Sequence, residues 1–67
     1  MKGLETLEVG KTYAVRTITG THDALTFVGF EQENADVLLA VFAMESSNPL
    51  IEICFDTSIP TNQVINN

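Results

Sequence analysis

From Thr12 to Ile18 the chain alternates, with Tyr13, Val15 and Thr17 on one face and Ala14, Arg16 and Ile18 on the other. A period of two predicts a half-buried strand. Leu25 to Gln32 reads as a second strand, and Gly29 inside it predicts a bulge or sharp bend. Leu50 to Phe55 alternates again: Ile51, Ile53 and Phe55 point one way, Glu52 and Cys54 the other. Gln63 to Ile65 reads as a short closing strand, with Asn66 and Asn67 frayed beyond it. Turn residues separate these runs at Gly10-Lys11, Thr19 to Asp23, Glu33 to Asp36 and Ser46 to Pro49. Asp56 to Thr61 reads as a tight corner or single 3₁₀ turn. Leu4 and Leu7, three apart near the start, fit one helical turn or an extended lead-in.

One segment breaks the alternation. Val37-Leu38-Leu39-Ala40-Val41-Phe42-Ala43-Met44 contains no polar residue, so both of its faces must be covered. Periodicity cannot separate a short buried strand from a buried helix. Asn34 is an available N-cap, and Leu, Ala and Met favour a helix. Hairpin-type loops on both sides favour the strand, and a helix apolar all round is unusual in a small domain. The expected fold is therefore all-β, a small five-stranded barrel with a short N-terminal helical turn, forming one domain over 1–67. The alternative is an α+β fold with a helix at 35–45. As a strand, the run puts Val37, Leu39, Val41 and Ala43 on one face and Leu38, Ala40, Phe42 and Met44 on the other. With one face in the core, Leu38, Phe42 and Met44 are expected outward, covered by the Leu4 and Leu7 segment, by a second subunit or by a partner. Leu50 joins them as an interface candidate. Homo-oligomerisation follows as an expectation, since apolar patches of this size mark interfaces.

Two segments carry a resemblance. Leu7-Glu8-Val9-Gly10-Lys11-Thr12-Tyr13-Ala14-Val15-Arg16 is similar to the first strand, and the leucine-containing segment before it, of the Sm-like and wider SH3-like barrels. Val28-Gly29-Phe30-Glu31-Gln32-Glu33-Asn34, running into Val37-Leu38-Leu39, resembles the Sm-like order of strand-two glycine, acid and asparagine before an apolar strand. The resemblance covers residues 4–42 and implies a fold that forms rings through edge strands. The family's Arg-Gly pair after strand four is absent; the chain reads Cys54-Phe55-Asp56-Thr57-Ser58 there. The Asn34 to Val37 spacing also carries extra residues. That Arg and Asn hold RNA bases in the family, so its RNA binding does not carry over.

Charge narrows the partners. Nine acids face three bases, for a formal net charge of -6. Lys2, Lys11 and Arg16 do not cluster, which argues against phosphate-backbone binding unless a ring repeats Arg16 around its axis. It also argues against an anionic membrane surface. A partner protein with a basic surface fits better. The lone Cys54 forms no internal disulfide and fits a reducing compartment. No basic stretch followed by an apolar segment opens the chain, and the apolar run is far shorter than the roughly 20 residues of a membrane span. The expectation is a soluble cytoplasmic protein. Length adds one pressure: 67 residues can bury only a modest core.

Candidate chemistry is sparse. Glu31, Glu33 and Asp36 form an acidic cluster, read as a solvated loop tip with weak divalent binding as the alternative; it lacks the ligand alternation of a calcium loop. The same residues could present an acidic partner surface. His22 beside Asp23 is half of an acid–base pair with no nucleophile placed by sequence. Cys54, between Ile53 and Phe55, is expected to be a buried or interfacial structural thiol. Tyr13, Phe27, Phe30 and Phe42 sit among acids rather than cations, so they read as core rather than as base-stacking platforms, with Phe30 or Phe42 the ones to reach a surface. Arg16 is expected to pair with Glu52 or another acid across the sheet. No CxxC, HExxH, P-loop or GxSxG occurs, and no catalytic residue, metal or cofactor is expected. The function read from sequence is a non-catalytic, oligomeric small-barrel module that binds or scaffolds protein. An acidic inhibitor or nucleic-acid mimic is the alternative, and Sm-like RNA binding is third.

Overall fold

A computed structural model describes residues 1–65. After the short turn η1 (Leu4–Thr6), five strands follow: β1 (Thr12–Thr17), β2 (Gly20–Asn34), β3 (Val37–Met44), β4 (Ile51–Asp56) and β5 (Gln63–Ile65). They form one antiparallel sheet in the order β4-β3-β2-β1-β5. The apolar run is thus a strand, and the helix alternative at 35–45 is overturned. Flanked by β2 and β4, β3 satisfies its backbone on both sides, while its side chains fill both faces of the middle of the sheet.

The strand β2 makes the sheet a barrel. At about 3.3 Å per residue, its fifteen residues would span roughly 50 Å if straight. The longest dimension of the molecule is 32 Å, so β2 must bend. Three register shifts provide the bend: opposite Tyr13/Val15, between Phe27 and Gly29, and between Gln32 and Asn34. Gly29 has φ 151°, a conformation that favours glycine, and it sits in the second bulge as its sequence position predicts. The first part of β2 pairs with β1 and the later part with β3, with Thr26 meeting Thr12 on one side and Ala43 on the other. The first hairpin is tighter than expected. Gly20, Thr21 and His22 pair with Thr17, Arg16 and Val15, so only Ile18 and Thr19 remain as the turn.

The curled sheet encloses Tyr13, Val15, Leu25, Phe27, Ala40, Phe42, Phe55 and Val64. Phe42 lies between Phe27 and Phe55, at ring-centroid distances of 5.3 and 5.7 Å. It is 0% exposed. The outward orientation expected for Phe42 is therefore reversed: it is the centre of the core. Met44, Leu4 and Leu7 pack against the same core, with Met1 and Ile53. Leu38 is half-buried opposite Gln32, and only Leu50 of the expected interface set is well exposed. The apolar run thus finds its cover inside one chain, which removes the argument that it needs a second copy.

The N-terminal segment closes one side. The Tyr13 hydroxyl donates to Thr6 O and accepts from Glu8 N–H, both at 2.9 Å, fixing η1 against the sheet. Lys2 runs parallel to Gln63: Lys2 N–H donates to Asn62 O and Val64 N–H donates to Lys2 O. Between β4 and β5, two successive turns use Ile59 N–H to Asp56 O and Asn62 N–H to Ile59 O. The buried Asn62 side chain donates to Asp56 O as well. The expected fraying of Asn66 and Asn67 lies outside the described residues.

Candidate functional site

The register of β3 and β4 sorts the side chains of β4 by face. Ile51, Ile53 and Phe55 lie opposite Met44, Phe42 and Ala40 and face the core side. Glu52, Cys54 and Asp56 lie opposite Ala43, Val41 and Leu39 on the convex side, where Glu31 also meets Leu39. The alternation read from sequence holds for β4, but its consequence for Cys54 differs from expectation. Cys54 is exposed, because its apolar chain neighbours point to the other face.

Partial burial pushes the Cys54 thiol up, and Glu31, Glu52 and Glu33 push it in the same direction. A thiol held protonated is a weak nucleophile. Alkylation of Cys54 by iodoacetamide at neutral pH should be slower than that of a free thiol. Glu52→Gln should speed it, because removing a negative neighbour favours the thiolate. An unchanged rate in that variant would show that the Glu52 charge does not contribute to the shift.

The other expected chemistry disperses. The His22 ring packs on Phe55 at a centroid distance of 5.8 Å rather than on Asp23. Arg16 lies on β1 between Thr21 and Gln63, with two strands, β2 and β3, between it and β4, and the expected pair with Glu52 does not form. The ion pair among the described residues is Lys11–Glu8, on the surface, which raises the Lys11 pKa through hydrogen bonding and charge. Among the described residues no three His, Cys, Asp or Glu side chains, Glu31, Glu33 and Asp36 included, converge as a metal site would require. Asn34 Oδ1 accepts the Asp36 N–H at 2.9 Å and closes its own turn. Phe30, as one of two candidates for a surface, is half exposed and packs edge-on to Phe27.

Sequence reasoning missed two features of the far end of β4. Asp56 accepts from the Ser58 N–H at 2.8 Å and hydroxyl at 2.7 Å, holding its carboxyl below the usual range. Asp-Thr-Ser is a legible signal for such a side-chain turn. Thr57 donates to Leu38 O through both its N–H and its hydroxyl, extending the β3–β4 ladder by one residue.

Charge divides along the chain. Glu31, Glu33, Asp36, Glu45, Glu52 and Asp56 all follow Phe30, whereas Lys2, Lys11 and Arg16 all precede it. The stretch from late β2 through β4 therefore carries six of the nine acids and no Lys or Arg, while Glu5, Glu8 and Asp23 lie elsewhere and the Met1 ammonium donates to Thr57 O at the end of β4. No helix of the described residues is long and apolar enough to cross a membrane. Comparison with protein-family models, with curated proteins and with solved structures finds no match to this chain.

Proposed function

We propose that this chain is a non-catalytic small-barrel module that mediates protein–protein interaction. The observation that carries this reading is the surface at the β4 edge of the sheet. Leu50, just before the edge strand β4, and Ile51, its first residue, are 60% and 49% exposed. Large apolar side chains beside an unpaired strand are a common docking arrangement. Val28 and Phe30 add exposed apolar surface on β2.

Affinity capture from the native host, compared between wild type and an Ile51→Asp variant, tests the reading. Specific retention of a partner by wild type, with loss in the variant, is expected; retention of no protein by wild type overturns it. Sedimentation at micromolar concentration tells whether the bound protein is another copy. A monomer is expected, since β3 is covered within the chain.

A second reading, an acidic decoy for a basic nucleic-acid-binding site, is supported by the six of nine acids that follow Phe30, a stretch with no Lys or Arg. It predicts that the partner releases bound DNA when the chain is added. Sm-like RNA binding has less support: Asn34 is engaged in its own turn, and Lys11 is paired with Glu8.

A further inference from the structure

We infer that the free edge of β4 is the docking site, and that it takes an extended basic segment of another protein as a sixth strand. This rests on the protein-binding reading and names where it acts and what it binds. The two ends of the sheet differ. At β5, Lys2 already occupies the outer edge, taking Asn62 O and Val64 N–H. At β4, no described residue pairs with the outer edge.

The ladder shows which groups β4 offers. Thr57 N–H donates to Leu38 O, so Thr57 directs its backbone at β3. Backbone direction alternates along a strand, so Phe55, Ile53 and Ile51 also face β3. Glu52, Cys54 and Asp56 then direct their N–H groups outward, with the carbonyls of Glu52 and Cys54. Asp56 O is taken by Ile59 N–H and the Asn62 side chain, which agrees with its pointing away from β3.

A strand added here would place alternate side chains beside Glu52, Cys54 and Asp56 on the convex face. The others would lie beside Ile51 and Ile53. Lys or Arg answers the first row and apolar residues the second. Glu31, on the same convex face opposite Leu39, adds to the attraction. A second copy of this chain offers no such segment. Its Lys2 is engaged at β5, its Lys11 is paired with Glu8, and its Arg16 lies on the interior strand β1. Two β4 edges would also bring their acids together.

The test uses a synthetic peptide alternating Lys and Val, long enough to span β4, and its counterpart with Glu for Lys. At low salt the basic peptide should bind the full chain and the acidic one should not. Amide resonances of Glu52, Cys54 and Asp56 should shift most. N-methylation of the peptide residues that bond to the edge should weaken binding by about tenfold or more, while methylation of the alternate set should not. Equal effects of the two sets would mean attraction by charge alone and would overturn the proposal, as would shifts centred elsewhere. Cys54→Pro removes an outward N–H, a substitution edge strands tolerate, and should abolish binding while Cys54→Ala retains it. A native partner captured equally by wild type and by folded Cys54→Pro would overturn the edge while leaving the protein-binding reading intact.

Discussion

Replacing Phe42 by alanine should leave much of the chain unfolded at room temperature. Phe42 is fully buried, and its ring holds Phe27 and Phe55 apart at the middle of the core. Removing a buried phenylalanine ring costs about 3–5 kcal/mol in lost transfer and in the cavity left behind. Stability of roughly 0.05–0.15 kcal/mol per residue gives a domain of this size only about 3–10 kcal/mol in all. The loss is therefore comparable with the whole. Phe42→Asp should be worse, because it adds an unpaired charge to an apolar interior. Phe30→Ala should keep the fold, since that ring is half exposed. Circular dichroism and urea titration of the three variants decide the matter. A urea midpoint for Phe42→Ala equal to that of wild type would sink this description of the core.

The place of Phe42 also marks the limit of what periodicity tells. Alternation assigns residues to two faces but does not say which face is inside. In β1 and β4 polar residues identify the outer face. In β3 no polar residue does so, and only the register with Phe27 and Ile53 assigns Phe42 inward. Cys54 is the reverse case. Its neighbours in the chain are apolar, yet in a strand neighbours lie on opposite faces, so they report on the side Cys54 does not occupy. Gly29 was legible as a bend because a glycine inside a strand has few other uses. The start of β2 was not legible: Gly20 to Asp23 carries turn residues, but pairing with β1 overrides their preference. The free edge at β4 was hidden for a different reason. It depends on Lys2 covering the other edge, a contact between opposite ends of the chain that no local pattern encodes.

That contact leads to the second large effect. Gly3 and Gly10 share the same left-handed backbone, φ 88° at each. A side chain costs about 1–2 kcal/mol in that conformation wherever it occurs. Their surroundings differ. A Cβ on Gly10 would meet nothing within 4 Å, whereas a Cβ on Gly3 would lie 3.0 Å from Val64 Cβ and 3.1 Å from Val64 O. Val64 is buried in the core, sits opposite Val15 of β1 in the ladder and is bonded to Lys2 through its N–H. It cannot yield without loosening β5. Gly10→Ala should therefore show the backbone cost alone, and Gly3→Ala should lose a further 1–3 kcal/mol or so through overpacking. Urea unfolding of the two variants reads the difference directly, and hydrogen exchange locates it: the Val64 amide should lose protection in Gly3→Ala and keep it in Gly10→Ala. Equal losses of stability with Val64 still protected would mean that the N-terminal segment gives way instead, and that β5 does not depend on Lys2 to cover its edge.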